Sequence, residues 1–283
     1  MKRDFVVVGY GNMAQAILAH NDFLTTHYNH IFIIGRHLEK AKACIAEHNL
    51  KAKALQASLV DSKICIDIEG KDVLLCIKPK GLESFIFTGE AHSVYSVLAG
   101  VPTLKLTEHL KAHFYVRLMP NIAAWSKASS TAFYCLNAKP CADFADVVQK
   151  HILPFIQSFG EGVQVNDEAL IESSIATSGS SIAFLAIIAE SLIDAGVLEG
   201  LSHEQSAALV QQTFAGFAKI LAHTSPSELK YAISSPAGTT IRGLALLEER
   251  GLRGILIKAA HTSAQYARDY MKNIAEQTKP HKA

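Results

Sequence analysis

The beginning of the chain restricts the possible fold more than any other segment. An apolar run, Phe5–Val8, is followed at once by Gly9-Tyr-Gly11-Asn-Met-Ala14, and a helix-like segment starts there. The spacing GxGxxA between a strand and a helix is typical of a turn that binds dinucleotide phosphates. The first glycine allows the tight turn, the second lets a diphosphate approach the backbone, and the small third residue lets helix and strand pack closely. The predicted cofactor-binding residues of this turn are Gly9, Gly11, Asn12, Met13 and Ala14.

Short apolar runs alternate with helix-like segments through the first half of the chain, a pattern that predicts βα units around a sheet covered on both faces. From about Asp167 onward, β-like runs give way to long segments of helical period. We therefore predict an α/β protein with an N-terminal Rossmann-type doubly wound sheet in residues 1–164 and a C-terminal all-helical dimerisation domain in residues 165–283. The segment Ile64–Ile68 alternates like a strand without an evident partner, and its place stays open. The predicted strands are 5–8, 30–34, 73–77, 95–98, 114–119, 131–136 and 160–165, and the predicted helices between them are 13–20, 38–48 and 103–110.

Composition excludes several classes of protein. The chain has 283 residues, 49% hydrophobic and 19% charged, enough to bury about 70–75% of its unfolded surface and to exclude disorder. Its 27 basic and 26 acidic residues collect into no run, which argues against nucleic acid or an anionic membrane as a partner. Five cysteines without a CxxC pair indicate a reducing compartment, and no metal-ligand spacing occurs. With no visible signal peptide or membrane span, we predict a cytoplasmic protein without a metal.

Three further loops are candidates for the cofactor site. The end of the second predicted strand, Ile33–His37, lacks the acid that would bind a ribose 2′-hydroxyl. Arg36 can instead bind a 2′-phosphate with its planar donors, which favours NADPH and leaves NADH as an alternative. Two later strand ends carry Lys78-Pro79 and the small Ala99-Gly100, and ligands of open α/β sheets bind at such ends.

Two motifs make the chain recognisable. Arg117-Leu-Met-Pro120-Asn121 and, far more specifically, the segment from Ser234 to Glu248 resemble signature segments of the pyrroline-5-carboxylate reductase family. The resemblance covers residues 5 to about 262, with the other motifs in the same order. It implies NAD(P)H-dependent reduction of 1-pyrroline-5-carboxylate to L-proline, the last step of proline biosynthesis. It also adds Asn121 to the cofactor-binding residues.

The resemblance further implies a substrate loop, Ser234–Thr240. Hydroxyls and glycine-adjacent backbone N–H groups at a predicted helix start suit a carboxylate. By resemblance, Ser235 and Thr239 contact the carboxylate, and Thr240, the predicted catalytic residue, contacts the ring nitrogen. The predicted substrate-binding residues are Ser235, Gly238, Thr239 and Thr240.

Three alternatives stay open beside this prediction. A β-hydroxyacid dehydrogenase shares the two-domain plan, but its catalytic lysine has no counterpart between Gly179 and Ala218. A reductase of another cyclic imine, or a nucleotide-binding sensor without turnover, would share most of these motifs. Glu190 and Asp194, four residues apart, are interpreted as surface acids rather than a catalytic pair.

The segment Ile182–Leu198 is apolar nearly all round, which predicts a homodimer and leaves higher assembly open.

Overall fold

The computed structural model describes residues 2–277 and the side chains of residues 2–269. Contacts divide the chain into two compact units. Unit 1 runs through Gly179 and takes in the segment that begins at Ala264, and unit 2 is Ser180–Ser263. The predicted boundary between residues 164 and 165 follows the last strand instead, and this domain division stays a prediction.

Unit 1 has a strand or a helix at each of the predicted positions, and it also has several short elements that the sequence did not predict. Its strands are β1 (Arg3–Val8), β2 (Tyr28–Ile34), β3 (Lys53–Ala54), β4 (Ser58–Val60), β5 (Lys63–Asp67), β6 (Asp72–Leu75), β7 (Phe85–Thr88), β8 (Glu90–Ser96), β9 (Lys111–Met119), β10 (Ser129–Asn137) and β11 (Gly160–Gln164). Its helices are α1 (Asn12–Leu18), α2 (Asp22–His27), α3 (Leu38–Glu47), α4 (Thr103–His109), α5 (Phe144–Val147), α6 (Leu153–Gln157) and α7 (Leu170–Ser173).

The main sheet has eight strands in the order β11-β10-β9-β8-β6-β1-β2-β3. All neighbouring pairs are parallel except β9 and β10, which are antiparallel. The chain leaves β1 toward β2 on one side and later returns to place β6 on the other. In such sheets, ligands bind beyond the carboxyl ends of the strands where the order reverses. A ligand site is therefore expected in the crevice beyond β2, β1 and β6.

Alternate residues of the buried strands face two separate cores. Val7 and Leu74 belong to the core beneath α1, whereas Val6 and Val73 belong to the opposite one. A three-stranded sheet, β4-β5-β7, packs against this second core, so one face of the main sheet is covered partly by strands. Most of the segment Ile64–Ile68 forms β5, which pairs antiparallel with the preceding β4 and in parallel with β7 about twenty residues later. β4 has only three residues, all exposed, and β7 is distant in sequence, so neither partner is evident from the sequence alone.

Unit 2 consists of helices joined by short loops. It contains α8 (Ser181–Leu198), α9 (His203–Leu221), α10 (Pro226–Ala232), α11 (Thr239–Glu249) and the first part of α12 (Leu252–Gln277). Capping boxes start α9 and α10: Ser202 pairs with Gln205, and Ser225 with Glu228. The sequence motifs S-x-x-Q and S-x-x-E predict both.

Unit 2 has almost no interior of its own. Among residues 180–263, all of them described, Ser206 alone is fully buried. Large apolar side chains lie exposed instead, including Ile187 at 62% and Leu198 at 84%. By length and composition, the stretch Leu170–Leu198 also has the character of a membrane span: its 18-residue apolar window has mean hydropathy 1.9, and no residue of that window is buried. Unit 2 by itself does not shield these apolar side chains from water.

Candidate active site

A cleft of about 480 Å³ lies at the carboxyl ends of β1, β2 and β6, where the strand order reverses. This volume is within the range typical of small-molecule sites. Of the predicted cofactor residues, Gly9, Gly11, Arg36 and Lys78 line this cleft. The complete lining is Gly9, Tyr10, Gly11, Gly35, Arg36, Cys76, Ile77, Lys78, Lys80, Gly81, Ser84 and Phe85.

The two glycines of the turn are needed for different reasons. Gly9 has a φ of +110°, and a Cβ there would lie 2.4 Å from the carbonyl oxygen of Cys76. Its backbone N–H donates to the Ile34 carbonyl at 2.7 Å, so the turn is fixed against both neighbouring strands. A Cβ at Gly11 would instead meet nothing within 4 Å. The protein leaves open space beside Gly11, and this space suits a diphosphate lying against the backbone.

The rest of the glycine turn serves packing and helix initiation. Asn12 and Met13 form the first turn of α1, and Ala14 is buried in the core beneath that helix. Gly11 is the residue preceding the helix, and no side chain caps it. Tyr10 lies against Gly35, where a Cβ would come within 2.4 Å of its ring. The tyrosine ring therefore packs against Gly35 and lines the cleft.

The cleft is strongly cationic. Arg36, Lys78 and Lys80 line it, and no acidic residue is among the lining residues. All three side chains are exposed, and the described part of the chain offers them no ion pair. Burial raises the pKa of the Cys76 thiol, so this cysteine is neutral and is no nucleophile at pH 7. The donor set suits a phosphate-bearing ligand.

The remaining predicted cofactor residues lie outside this cleft but on the same edge of the main sheet. Pro79 opens a short 3₁₀-helix after Lys78, and Ala99 and Gly100 follow β8. Asn121 follows β9 and is 7% exposed. Its Oδ1 accepts from the backbone N–H of Ala123 at 3.1 Å and its Nδ2 donates to the Ser178 carbonyl at 3.3 Å. Asn121 thus also has a structural role, and its cofactor role stays a prediction.

An ion-pair network that sequence reasoning missed supports these outer loops. Arg117, on β9, is 2% exposed and binds the carboxylates of Glu172 and Glu168, the latter at 3.3 Å. Glu168 also accepts from the backbone N–H of Thr103 at 2.7 Å and from its hydroxyl at 2.9 Å. Thr103 begins α4, directly after the loop that carries Ala99 and Gly100. In the sequence, an arginine inside the apolar run Phe114–Met119 could have indicated that acidic residues lie buried nearby.

The predicted substrate residues lie together at the start of α11 in unit 2. Ser235 to Gly238 form a β-turn closed by a hydrogen bond from the Gly238 N–H to the Ser235 carbonyl at 3.0 Å. Pro236 occupies the second position, and Ala237 takes the left-handed φ of +59° that a type II turn requires. Glycine would adopt this conformation more easily, so Ala237 is a strained residue in this turn.

The hydroxyl groups of this loop are available to a ligand. Ser235, Thr239 and Thr240 are exposed, and no described residue bonds to their side chains. Gly238 precedes α11 without any side-chain cap, and the first turn carries no acid. The helix start therefore keeps its donors and its partial positive charge for an anion. The structure brings the predicted substrate residues together in unit 2 and four cofactor residues together in unit 1.

Two further candidate residues lie outside these two sites. Glu190 and Asp194 lie one turn apart on α8, and both are exposed. Among the residues that the structure describes, no cluster of three or more histidines, cysteines and acids could hold a metal ion.

Comparison with known proteins decides the family. A family model described as "Pyrroline-5-carboxylate reductase dimerisation" matches residues 168–270. A pyrroline-5-carboxylate reductase from Helicobacter pylori is 41% identical over 261 residues, which are 92% of this chain and 97% of that protein. The chain belongs to the pyrroline-5-carboxylate reductase family.

Solved structures of pyrroline-5-carboxylate reductases share the fold. The enzyme from Streptococcus pyogenes is 28% identical and matches with a TM-score of 0.76 over 94% of this chain and 98% of that one. The enzyme from Plasmodium falciparum, 22% identical and solved with NADP bound, matches with a TM-score of 0.71 over 94% of this chain and 97% of its own. The family and the fold class predicted from the sequence are both confirmed.

Proposed function

We propose that this chain is a pyrroline-5-carboxylate reductase, which reduces 1-pyrroline-5-carboxylate to L-proline with NAD(P)H in the last step of proline biosynthesis. The observation that carries the proposal is the 41% identity to the Helicobacter pylori reductase across nearly the whole of both proteins. The cleft beside Gly11 supports it, because its open backbone and three cations suit a dinucleotide.

NADPH is the preferred cofactor in this proposal, and NADH remains an alternative. Gly9, Gly11 and the first turn of α1 would hold the diphosphate together with Lys78, and Arg36 would bind the 2′-phosphate. The rest of the cofactor would lie along the loops that carry Pro79, Ala99, Gly100 and Asn121. When bound, the cofactor supplies the hydride that reduces the imine carbon, while the protein supplies position and charge.

The turn before α11 would bind the substrate. Its carboxylate would accept hydrogen bonds from Ser235 and Thr239 and from backbone N–H groups near Gly238. The Thr240 hydroxyl can donate to a neutral ring nitrogen or accept from a protonated one, so it orients the ring in either state. Positioning of two reactants can by itself remove about 7–11 kcal/mol from a barrier. A site without a strong acid or base is therefore sufficient for this reaction.

The subunit acts as a homodimer in the cytoplasm, and a second copy covers the apolar surfaces of unit 2. The match of residues 168–270 to a dimerisation model supports this assembly. So does the exposure of Ile187 and Leu198 in a unit with almost no buried residues. Obligate dimer interfaces resemble a protein core divided between two chains. On this proposal the apolar stretch Leu170–Leu198 lies against protein and not lipid.

The purified protein should oxidise NADPH when 1-pyrroline-5-carboxylate is added, and proline should accumulate in equal amount. Absorbance of NADPH and, separately, of NADH gives the rate and the preference, and chromatography identifies the product. We expect faster turnover with NADPH at limiting cofactor, because no acid opposes a 2′-phosphate in the cleft. Intact nucleotide binding without oxidation of either cofactor would rule out this reaction and favour another imine substrate or a sensor.

Ile187→Glu should disrupt the homodimer. A charge on an apolar interface residue must be desolvated on association, and this costs more than the contact gives. Light scattering after gel filtration should give twice the 30.7 kDa chain mass for the parent protein and a lower mass for the variant. Gln211→Glu adds the same charge at an exposed polar position of α9 and should stay dimeric. A monomeric parent protein at micromolar concentration would contradict the proposed assembly.

A further inference from the structure

We propose that Lys80 binds the 2′-phosphate of NADPH together with Arg36, and is thus a second determinant of cofactor specificity. The proposal rests on the proposed function and assigns a role that no sequence motif gave. Lys80 lies in the 3₁₀-helix Pro79–Ser84 that follows β6, and its side chain lines the same cleft as Arg36.

The sheet brings the two cations to opposite sides of the glycine turn. Arg36 follows β2 and Lys80 follows β6, and these strands are the two neighbours of β1. Adjacent strands lie about 4.8 Å apart, so the ends of β2 and β6 are roughly 10 Å apart. Two long side chains can meet across that gap above the turn. A phosphate between them would contact both.

The charge of a phosphate monoester calls for a second cation. Such a group carries about −1.5 to −2 at pH 7, and one guanidinium neutralises only about half of it. Neither Arg36 nor Lys80 has an ion-pair partner among the described residues, and no acidic residue lines the cleft. Both side chains are exposed and can turn toward a ligand.

Lys78, the other lysine of this loop, has a different expected partner. It lies only two residues after Cys76, whose carbonyl carbon would lie 2.8 Å from a Cβ at Gly9. Lys78 follows this contact by two residues and Lys80 by four, so the diphosphate expected at the glycine turn is assigned to Lys78. The diphosphate is common to NADPH and NADH, whereas the 2′-phosphate belongs to NADPH alone. Loss of Lys78 should weaken both cofactors, and loss of Lys80 should weaken only one.

Binding of two adenosine fragments separates these roles without any turnover. Calorimetry would measure the dissociation constants of 2′,5′-ADP and 5′-AMP on the dimeric protein. Lys80→Gln should weaken 2′,5′-ADP about fivefold to tenfold, as expected for loss of one charge-assisted hydrogen bond at an exposed site. Binding of 5′-AMP should be unchanged. Arg36→Ala should show the same selectivity. Lys53→Gln, which removes an exposed lysine outside the cleft, should change neither constant.

The outcomes distinguish this proposal from the proposed function. Equal weakening of both fragments by Lys80→Gln, or no weakening of either, would overturn the role of Lys80 while reduction of 1-pyrroline-5-carboxylate could still be observed. Selective weakening of 2′,5′-ADP in a protein that fails to reduce that substrate would support Lys80 and contradict the reaction. A protein that binds neither fragment and oxidises neither cofactor would contradict both.

Discussion

Replacing Arg117 with methionine should lower the free energy of unfolding by about 3–5 kcal/mol, because it leaves the carboxylates of Glu172 and Glu168 without their cation. The Glu172 side chain is 3% exposed and that of Glu168 is 20% exposed, so water can compensate little for the loss. Methionine keeps most of the volume of the arginine stem, and the effect is therefore mainly electrostatic. Urea denaturation followed by circular dichroism would measure the change.

An exposed ion pair gives the matched control. Arg253 and Glu248 lie within hydrogen-bonding distance, but their side chains are 63% and 50% exposed. Arg253→Met should lower the free energy of unfolding by no more than about 1 kcal/mol, as is usual for surface pairs. If Arg117→Met proved as mild as Arg253→Met, the buried network would not hold β9 and the start of α4 together.

The network connects stability to the site. Glu168 holds the start of α4, just after Ala99 and Gly100, and Arg117 lies four residues before Asn121. Three predicted cofactor residues are thus on loops anchored by the same buried charges. A buried ion pair seldom adds net stability over an apolar replacement. We therefore attribute its presence here to a fixed geometry of these loops.

Local sequence patterns predicted most of the fold, and non-local pairing accounts for what they could not place. The runs of the main sheet were evident because strands buried on both faces are continuously apolar. The short strand β5 carried the right alternation, but its parallel partner β7 is distant in sequence, and its antiparallel partner β4 has only three residues, all exposed. The boundary of the units is equally non-local, since the segment from Ala264 joins unit 1.

Site residues that a motif requires for its backbone conformation could be predicted from the sequence. Residues whose role depends on tertiary packing were harder to predict. The need for glycine at position 9 follows from the motif, and the structure adds the Cys76 carbonyl that excludes a side chain. The structural contacts of Asn121 and the second cation Lys80 depend on how separate loops converge. The left-handed conformation of Ala237 could not be predicted from the sequence either, because alanine seldom adopts it.

Thr240→Val should lower kcat about tenfold to a hundredfold with little change in protein stability. Valine has the shape of threonine but no hydroxyl, so the variant removes only the hydrogen bond to the ring nitrogen. A hydrogen bond to a charged group contributes about 1.5–3 kcal/mol, and each 1.4 kcal/mol is tenfold in rate. Thr240 is exposed at the start of α11, and no described residue depends on its hydroxyl. Steady-state kinetics with 1-pyrroline-5-carboxylate would measure the change.

Two further substitutions test whether the hydroxyl itself is responsible. Thr240→Ser restores a hydroxyl at the same position and should recover most of kcat. Thr239→Val should raise KM more than it lowers kcat, because the neighbouring hydroxyl is assigned to the carboxylate and not to the reacting ring. Unchanged kcat and KM in Thr240→Val would exclude Thr240 as a catalytic residue. The chemistry would then depend on position and on the cofactor alone, with the turn Ser235–Gly238 holding the substrate.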